Sequence, residues 1–137
     1  MKVTTIKGRA VMQGRAKGPA MIGETLQGNG ALDFKTGEII QEGHSLKGKS
    51  LKGSVLVISG AQGSTAWSVR LHTTLVNGVG PVAMVFPRMD ARTAGAVAAM
   101  KLPTVTDLEK DIFTIAKLGD LIEVDGDQGI VTITHAE

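Results

Sequence analysis

With 137 residues, 42% of them apolar and 20% charged, the chain is long enough for one domain with its own core and too apolar to be disordered. A net charge of only +2 and 3% aromatics argue against a nucleic-acid binder, which needs a basic stripe and rings for bases to stack on. The lack of cysteine excludes disulfides, thiolate nucleophiles and cysteine-held zinc or iron–sulfur clusters from this chain, and no apolar run reaches the length of a membrane helix.

The start, MKVTTIKGRAV, lacks a signal-peptide apolar core and reads as a first strand, so a cytoplasmic setting is expected. Residues 2–24 read as β-structure punctuated by Gly8, Gly14, Gly18 and Pro19. Loop material follows around Asn29-Gly30, with a turn at Lys35-Thr36-Gly37. QEGHSLKGKSLKG is a polar connection whose Lys47, Lys49 and Lys52 suit a solvated loop. SVLVIS, bounded by glycines, is typical of a buried strand. After Ser64 the period changes: Trp67, Leu71 and Leu75 fall four apart, which predicts a helix of about three turns stopped by Asn77-Gly78. PVAMVF from Pro81 is the next strand, and strand–helix–strand in this order predicts a parallel pair. DARTAGAVAAM is a small-residue helix able to pack closely, and LPTVT is a short strand. DLEKDIFTIAKLG places Leu108, Ile112 and Ile115 at helical spacing and predicts a third helix. DLIEVDGDQGIVTIT reads as two strands about a DGDQG turn. No internal repeat or linker divides residues 1–137, so a single α/β domain is expected, β-rich with a short parallel βαβ core and a helical layer.

Ser64 is the first candidate for chemistry. As an N-cap it would only satisfy an orphan helical N–H. As a functional group, a hydroxyl at a helix start loses its proton more easily, because the nascent alkoxide meets N–H donors and the positive end of the dipole. The corner lacks the Lys-Ser/Thr ending of a phosphate loop. His72 cannot serve Ser64 as a base, since eight helical residues rise about 12 Å. His44 sits in a Gly-flanked loop, where it either orients that loop or lines a site, and His135 near the C-terminus is expected to be exposed. Three scattered histidines give no metal-ligand spacing. Arg88, Asp90 and Arg92 follow a strand of the parallel core, as Ser64 does, and ligands bind at the carboxyl ends of such strands.

Together, DFKTGEIIQEGHSLKGKSLKGSVLVISGAQGST, NGVGPVAMVF, MDARTAGAVAA and LPTV resemble the small subunit, or swivel domain, of the aconitase X family over roughly residues 8–110. The resemblance rests on the order and spacing of Thr36-Gly37, His44, Gly48 and Gly53, Gly63-Ser64, Gly80-Pro81, and Asp90 with Gly95. It implies a swivelling β/β/α domain and a hydro-lyase in which this chain binds no cofactor. An iron or iron–sulfur centre then lies in a large partner subunit, consistent with the absence of cysteine here. The swivel domain closes over that partner and presents a serine as catalytic base, which maps to Ser64. Gln62, Gly63, Thr65, His44 and Arg88 are the accompanying candidates for substrate binding. The family corner commonly reads Gly-Arg-Gly-Ser, whereas this chain has Ala61-Gln62-Gly63-Ser64, and a later position that is usually small is Trp67. Loss of that Arg removes a fixed positive charge and favours cis-3-hydroxy-L-proline as substrate, with mevalonate 5-phosphate as the alternative. Two rivals are a phosphohistidine-type swivelling domain, against which the lack of a His beside Ser64-Thr65 argues, and a non-catalytic binding module in which Ser64 is only a cap.

Overall fold

In the computed structural model, which describes residues 2–27, 30–62 and 67–136, an eight-stranded sheet runs in the order β1-β10-β9-β3-β5-β7-β8-β2. Its parallel core is the second half of β3 (Arg15–Gly23) followed by β5 (Val55–Ile58), β7 (Ala83–Phe86) and β8 (Thr104–Thr106). The first half of β3 belongs to a different layer: Arg15 to Pro19 pair antiparallel with β9 (Leu121–Asp125), which pairs in turn with β10 (Ile130–Thr134). The strand changes layers between Pro19 and Ala20, just after Gly18, where a Cβ would sit 2.4 Å from the Gly53 carbonyl oxygen, so only hydrogen fits.

β1 (Val3–Lys7) and β2 (Arg9–Met12) occupy opposite ends of the sheet order, yet Gly8 alone separates them. The sheet therefore curls until its ends meet. Gly8 donates to the Gly129 carbonyl at 2.8 Å, and a Cβ there would lie 2.6 Å from the Thr106 carbonyl oxygen. The core splits accordingly. Val55, Val57, Ala83, Val85 and Val105 face Ile6, Ile122, Val124, Val131 and Ile133 of the second β layer. The alternate residues Leu56, Ile58, Met84 and Phe86 face the helices. Period-two alternation sends one set to each face, and each large side chain taken fully from water contributes about 1.5–3 kcal/mol.

Helix α1 (Trp67–Val76) buries Trp67, Leu71 and Thr74 and ends before Gly78, at φ +74°, as the spacing predicts. Helix α2 (Ala91–Met100) buries Thr93, Ala96, Val97 and Met100, and Lys101 closes it in the left-handed region with its N–H on the Val97 carbonyl. A Cβ on Gly95 would be 3.4 Å from the Ser68 hydroxyl, so the small residues of α2 let the two helices approach closely. The DGDQG turn forms as expected. Asp125 Oδ1 accepts from the N–H groups of Asp127 and Gln128, while Oδ2 takes Arg15 Nη2 at 2.8 Å.

Two expectations fail. Residues 107–119 hold no α-helix, only a 3-10 turn at Ile112–Thr114. Asp107 has φ +52°, Glu109 N–H is drawn to the Lys7 carbonyl, and Asp111 and Thr114 bond locally to the backbone, an alternative that competes with helix. The apolar spacing is used all the same: Ile112 and Ala116 are buried in the core under the second β layer, with Leu108 and Ile115 packed against it.

His135, expected to be exposed, has only 15% of its side chain accessible. Its Nε2 is 2.7 Å from the Thr4 hydroxyl and its Nδ1 3.3 Å from Asp120 Oδ2. Asp120 is itself buried and accepts from the N–H groups of Lys117 and Ala136. Burial pushes the Asp120 carboxyl up, but those two N–H groups and His135 outweigh it and hold the group below its ordinary value. A depressed carboxyl stabilises the fold above its unfolded value of about 3.9 and loses that contribution as pH falls through the folded value. Asp120→Asn is therefore expected to cost about 1–3 kcal/mol at about pH 7 and much less at an acid pH below the carboxyl's folded value, where the wild-type group is itself protonated. Urea unfolding at the two pH values measures this; a difference independent of pH would refute it.

Candidate active site

The carboxyl ends of the four parallel strands open on one rim, the position where open α/β sheets bind ligands. Glu24 follows β3, Ser59 and Gly60 follow β5, residues 87–90 follow β7, and Asp107 follows β8. After Gly60 the chain makes a two-residue strand β6 (Ala61–Gln62), which pairs in parallel with β4 (Leu26–Gln27). Residues 63–66 then lead to α1. Gly63, Ser64 and Thr65 lie outside the described residues, as does the side chain of Gln62; the backbone of Gln62 pairs with Gln27.

The β7 corner reaches this segment directly. Asp90 caps α2: its Oδ1 accepts Thr93 N–H at 2.8 Å while the Thr93 hydroxyl takes Asp90 N–H at 2.9 Å, a reciprocal capping box. The N–H groups of Ala61 and Arg92 add to the electrostatic stabilisation of the same carboxylate. Its Oδ2 lies 3.4 Å from where a Cβ on Gly60 would be, and Gly60 has φ +155°. Partial burial raises the Asp90 carboxyl, and the Thr93 N–H and hydroxyl with the two further N–H groups overcome this and hold it below its ordinary value. The corners after β5 and β7 thus adjoin, as the sequence suggests. Arg88, two residues before Asp90 on the β7 corner, is exposed. Arg92 is half-buried, and its Nε has no hydrogen-bond partner among the described residues.

His44 has none of its side chain accessible. Leu46 N–H donates to its Nδ1 at 3.1 Å, which requires a lone pair there, so Nε2 carries the proton and donates to the Glu24 carbonyl at 3.1 Å. Nε2 therefore fastens the 41–47 loop to the residue after β3, while Nδ1 braces the loop on itself. Glu24 completes the clasp by accepting from the hydroxyl and N–H of Ser45; that hydroxyl, then Glu24's own N–H, hold its carboxyl below the ordinary value. His72 is half-buried on α1. The Asp90–Thr93 cap is missed by a residue-by-residue reading, although Asp-x-x-Thr before a small-residue helix carries its signal. The Glu24–Ser45 contact spans 21 residues and leaves no such signal.

A parallel core covered by two helices on one face and by a second β layer on the other, with its glycine corner on the strand-end rim, is a swivelling β/β/α domain. The family model "aconitase X swivel domain" matches residues 5–133, and the chain belongs to that family. It is 36% identical over 130 residues to the phosphomevalonate dehydratase small subunit of Methanocella arvoryzae, covering 94% of this chain and 98% of that one. It is 35% identical to the protein of the same name from Methanosarcina acetivorans, covering 93% and 90%. Among solved structures, the crystal structure of Thermococcus kodakaraensis aconitase X in its holo form superimposes with a TM-score of 0.87 at 25% identity, covering 96% of this chain and 99% of that one. The chain is a small subunit of an aconitase-X-type dehydratase, a component of a hydro-lyase. No helix among the described residues is long and apolar enough to cross a membrane.

Proposed function

We propose that this chain is the small subunit of a phosphomevalonate dehydratase, working with a large subunit that holds most of the substrate pocket. The observation that carries this reading is the name shared by relatives 34–36% identical over nearly the whole chain. They favour mevalonate 5-phosphate over the cis-3-hydroxy-L-proline expected from Gln62. The missing family Arg is then offset elsewhere: Arg88, exposed beyond β7, is suited to an anionic substrate, with further charge from the partner.

The reaction removes a proton from the carbon next to the carboxylate and a hydroxyl from its neighbour, leaving a carbon–carbon double bond and water. Ser64 takes the proton. Its oxygen is assisted by the start of α1, and Gln62 with the N–H groups of Gly63 and Thr65 orients the substrate. Closure of the swivel domain on the large subunit brings Ser64 to the substrate and excludes solvent. The iron or iron–sulfur centre is proposed for the large subunit. This chain has no cysteine, and among the described residues no group of three or more His, Cys, Asp or Glu is placed to hold a metal ion, so its own donors do not fit one.

The test is turnover by the complex purified with its large subunit, offered mevalonate 5-phosphate or cis-3-hydroxy-L-proline and followed by NMR of the products. Dehydration of the phosphorylated acid alone is expected. Dehydration of the hydroxyproline alone would return the substrate to the other family branch, and turnover of neither would refute both.

A further inference from the structure

We propose that Arg70 is a specificity residue: with the pocket it lines, it holds the substrate's phosphate, at the end of the molecule away from the reacting carbons. This rests on the reading of the substrate as mevalonate 5-phosphate. The pocket opens between β4 and the first turns of α1. Leu26, Leu32, Phe34, Trp67 and Leu71 give it apolar walls, and Leu26, Trp67 and Leu71 are themselves fixed in the core. Counted out to its open mouth it is about 270 Å³, short of the roughly 300–1,000 Å³ of a whole small-molecule site, so it takes one end of a ligand rather than all of it. Arg70 is the one charged residue lining it, and among the described residues no carboxylate pairs with that charge. The guanidinium lies over the Phe34 ring, 5.9 Å from its centroid, which sets where the charge sits before any ligand arrives. Its Nε is enclosed and has no hydrogen-bond partner among the described residues. A solvated surface arginine would leave that donor to water; an enclosed donor without a partner is costly, and an anion oxygen removes the cost. Arginine's planar fork matches a phosphate, and low-dielectric walls strengthen the attraction. The position also answers the departure at Gln62. Gln62 pairs with Gln27, and Gln27 lines the pocket, so Arg70 returns a positive charge to the neighbourhood from which the family Arg is missing.

Two measurements on the complex with the large subunit test this. In the first, the small subunit carries ¹⁵N-arginine and the complex is titrated with inorganic phosphate. The Arg70 Nε–H resonance is expected to move and saturate while those of the other arginines stay in place. In the second, Arg70→Met keeps an apolar stem over Phe34 and removes the charge. KM for mevalonate 5-phosphate is expected to rise about tenfold to a hundredfold with kcat within about threefold, because the lost contact is to a part of the substrate that does not react. Arg70→Lys keeps the charge without the fork and is expected to fall between; it serves as the test variant should the methionine variant fail to fold. An Arg70 resonance that phosphate does not move, or moves no more than the other arginines, overturns the proposal. So does a KM within about twofold of wild type in Arg70→Met. Weakened assembly with an unchanged KM in the assembled enzyme also overturns it, and gives Arg70 to a carboxylate of the large subunit instead. If the wild-type complex does not dehydrate mevalonate 5-phosphate at all, the substrate reading fails, and the titration alone decides the pocket: saturable movement at Arg70 keeps it as a phosphate site, and none removes it.

Discussion

Ser64→Ala, in the complex with the large subunit, is expected to lower kcat by about 10²–10⁴-fold, the range of a single general acid–base group. KM should change little, because a hydroxyl that meets the substrate only through the proton in flight stabilises the transition state more than the ground state. The competing role predicts something else. A serine that only caps α1 contributes about 0.5–2 kcal/mol of stability, so its loss would lower the unfolding midpoint and leave kcat near wild type. The two roles thus part on two instruments, a rate assay and a denaturant curve. Ser64→Gly makes the separation sharper, since glycine is nearly as good a cap as serine and costs only a few tenths of a kcal/mol there. A glycine variant that folds as well as wild type, assembles, and turns over no substrate would assign the chemistry to the oxygen itself.

The second large effect is one of stability. Trp67→Ala is expected to destabilise the free chain by about 3–5 kcal/mol, the cost of truncating a large buried aromatic. Trp67 is 3% exposed, its indole N–H donates to the Leu26 carbonyl at 2.9 Å, and its ring meets Phe86 edge-on with centroids 6.5 Å apart. It therefore ties the first turn of α1 to the segment after β3 and to the end of β7, the elements that bring the rim together. Trp67→Phe keeps the apolar volume in part and drops the hydrogen bond, leaving a buried carbonyl without its donor, so a smaller loss of about 1–3 kcal/mol is expected. Urea unfolding followed by circular dichroism measures both, since the chain has no other tryptophan to report by fluorescence. Losses below about 1 kcal/mol for the alanine variant would mean that the site collapses around the cavity and that the ring is not what fastens the corner.

The departure of Trp67 from the usual small family residue also acquires a reason. The ring does not enter the space above the strand ends. It goes down into the core between Leu26 and Phe86, so it supports the corner from below.

Much of this was legible from residue spacing. Strands β5 and β7 and helices α1 and α2 each announce themselves, because a period of two or of about 3.6 is the imprint of which face is buried. The same signal misled at Leu108, Ile112 and Ile115. Three apolar residues at helical spacing are equally well buried by a 3-10 turn and bends once Asp107, Asp111 and Thr114 offer the backbone local partners. His44 illustrates the limit at the site. Its Gly-flanked loop marked it as a residue with a purpose, but the purpose depends on Glu24, which is 20 residues earlier and reaches it only in the folded chain.

The sequence by itself determined the family, the βαβ middle and the hairpin at Asp125, because each is written in neighbouring residues whose spacing or turn chemistry has few solutions. Only the tertiary structure decided that β3 serves two layers, that Gly8 closes the sheet against Gly129, that Thr4, Asp120 and His135 meet, and that the Asp90 carboxylate on β7's corner lies beside Gly60 on β5's. Those are contacts between residues distant in the chain. Their partners are selected by how layers stack and strands are ordered, which local preference does not encode.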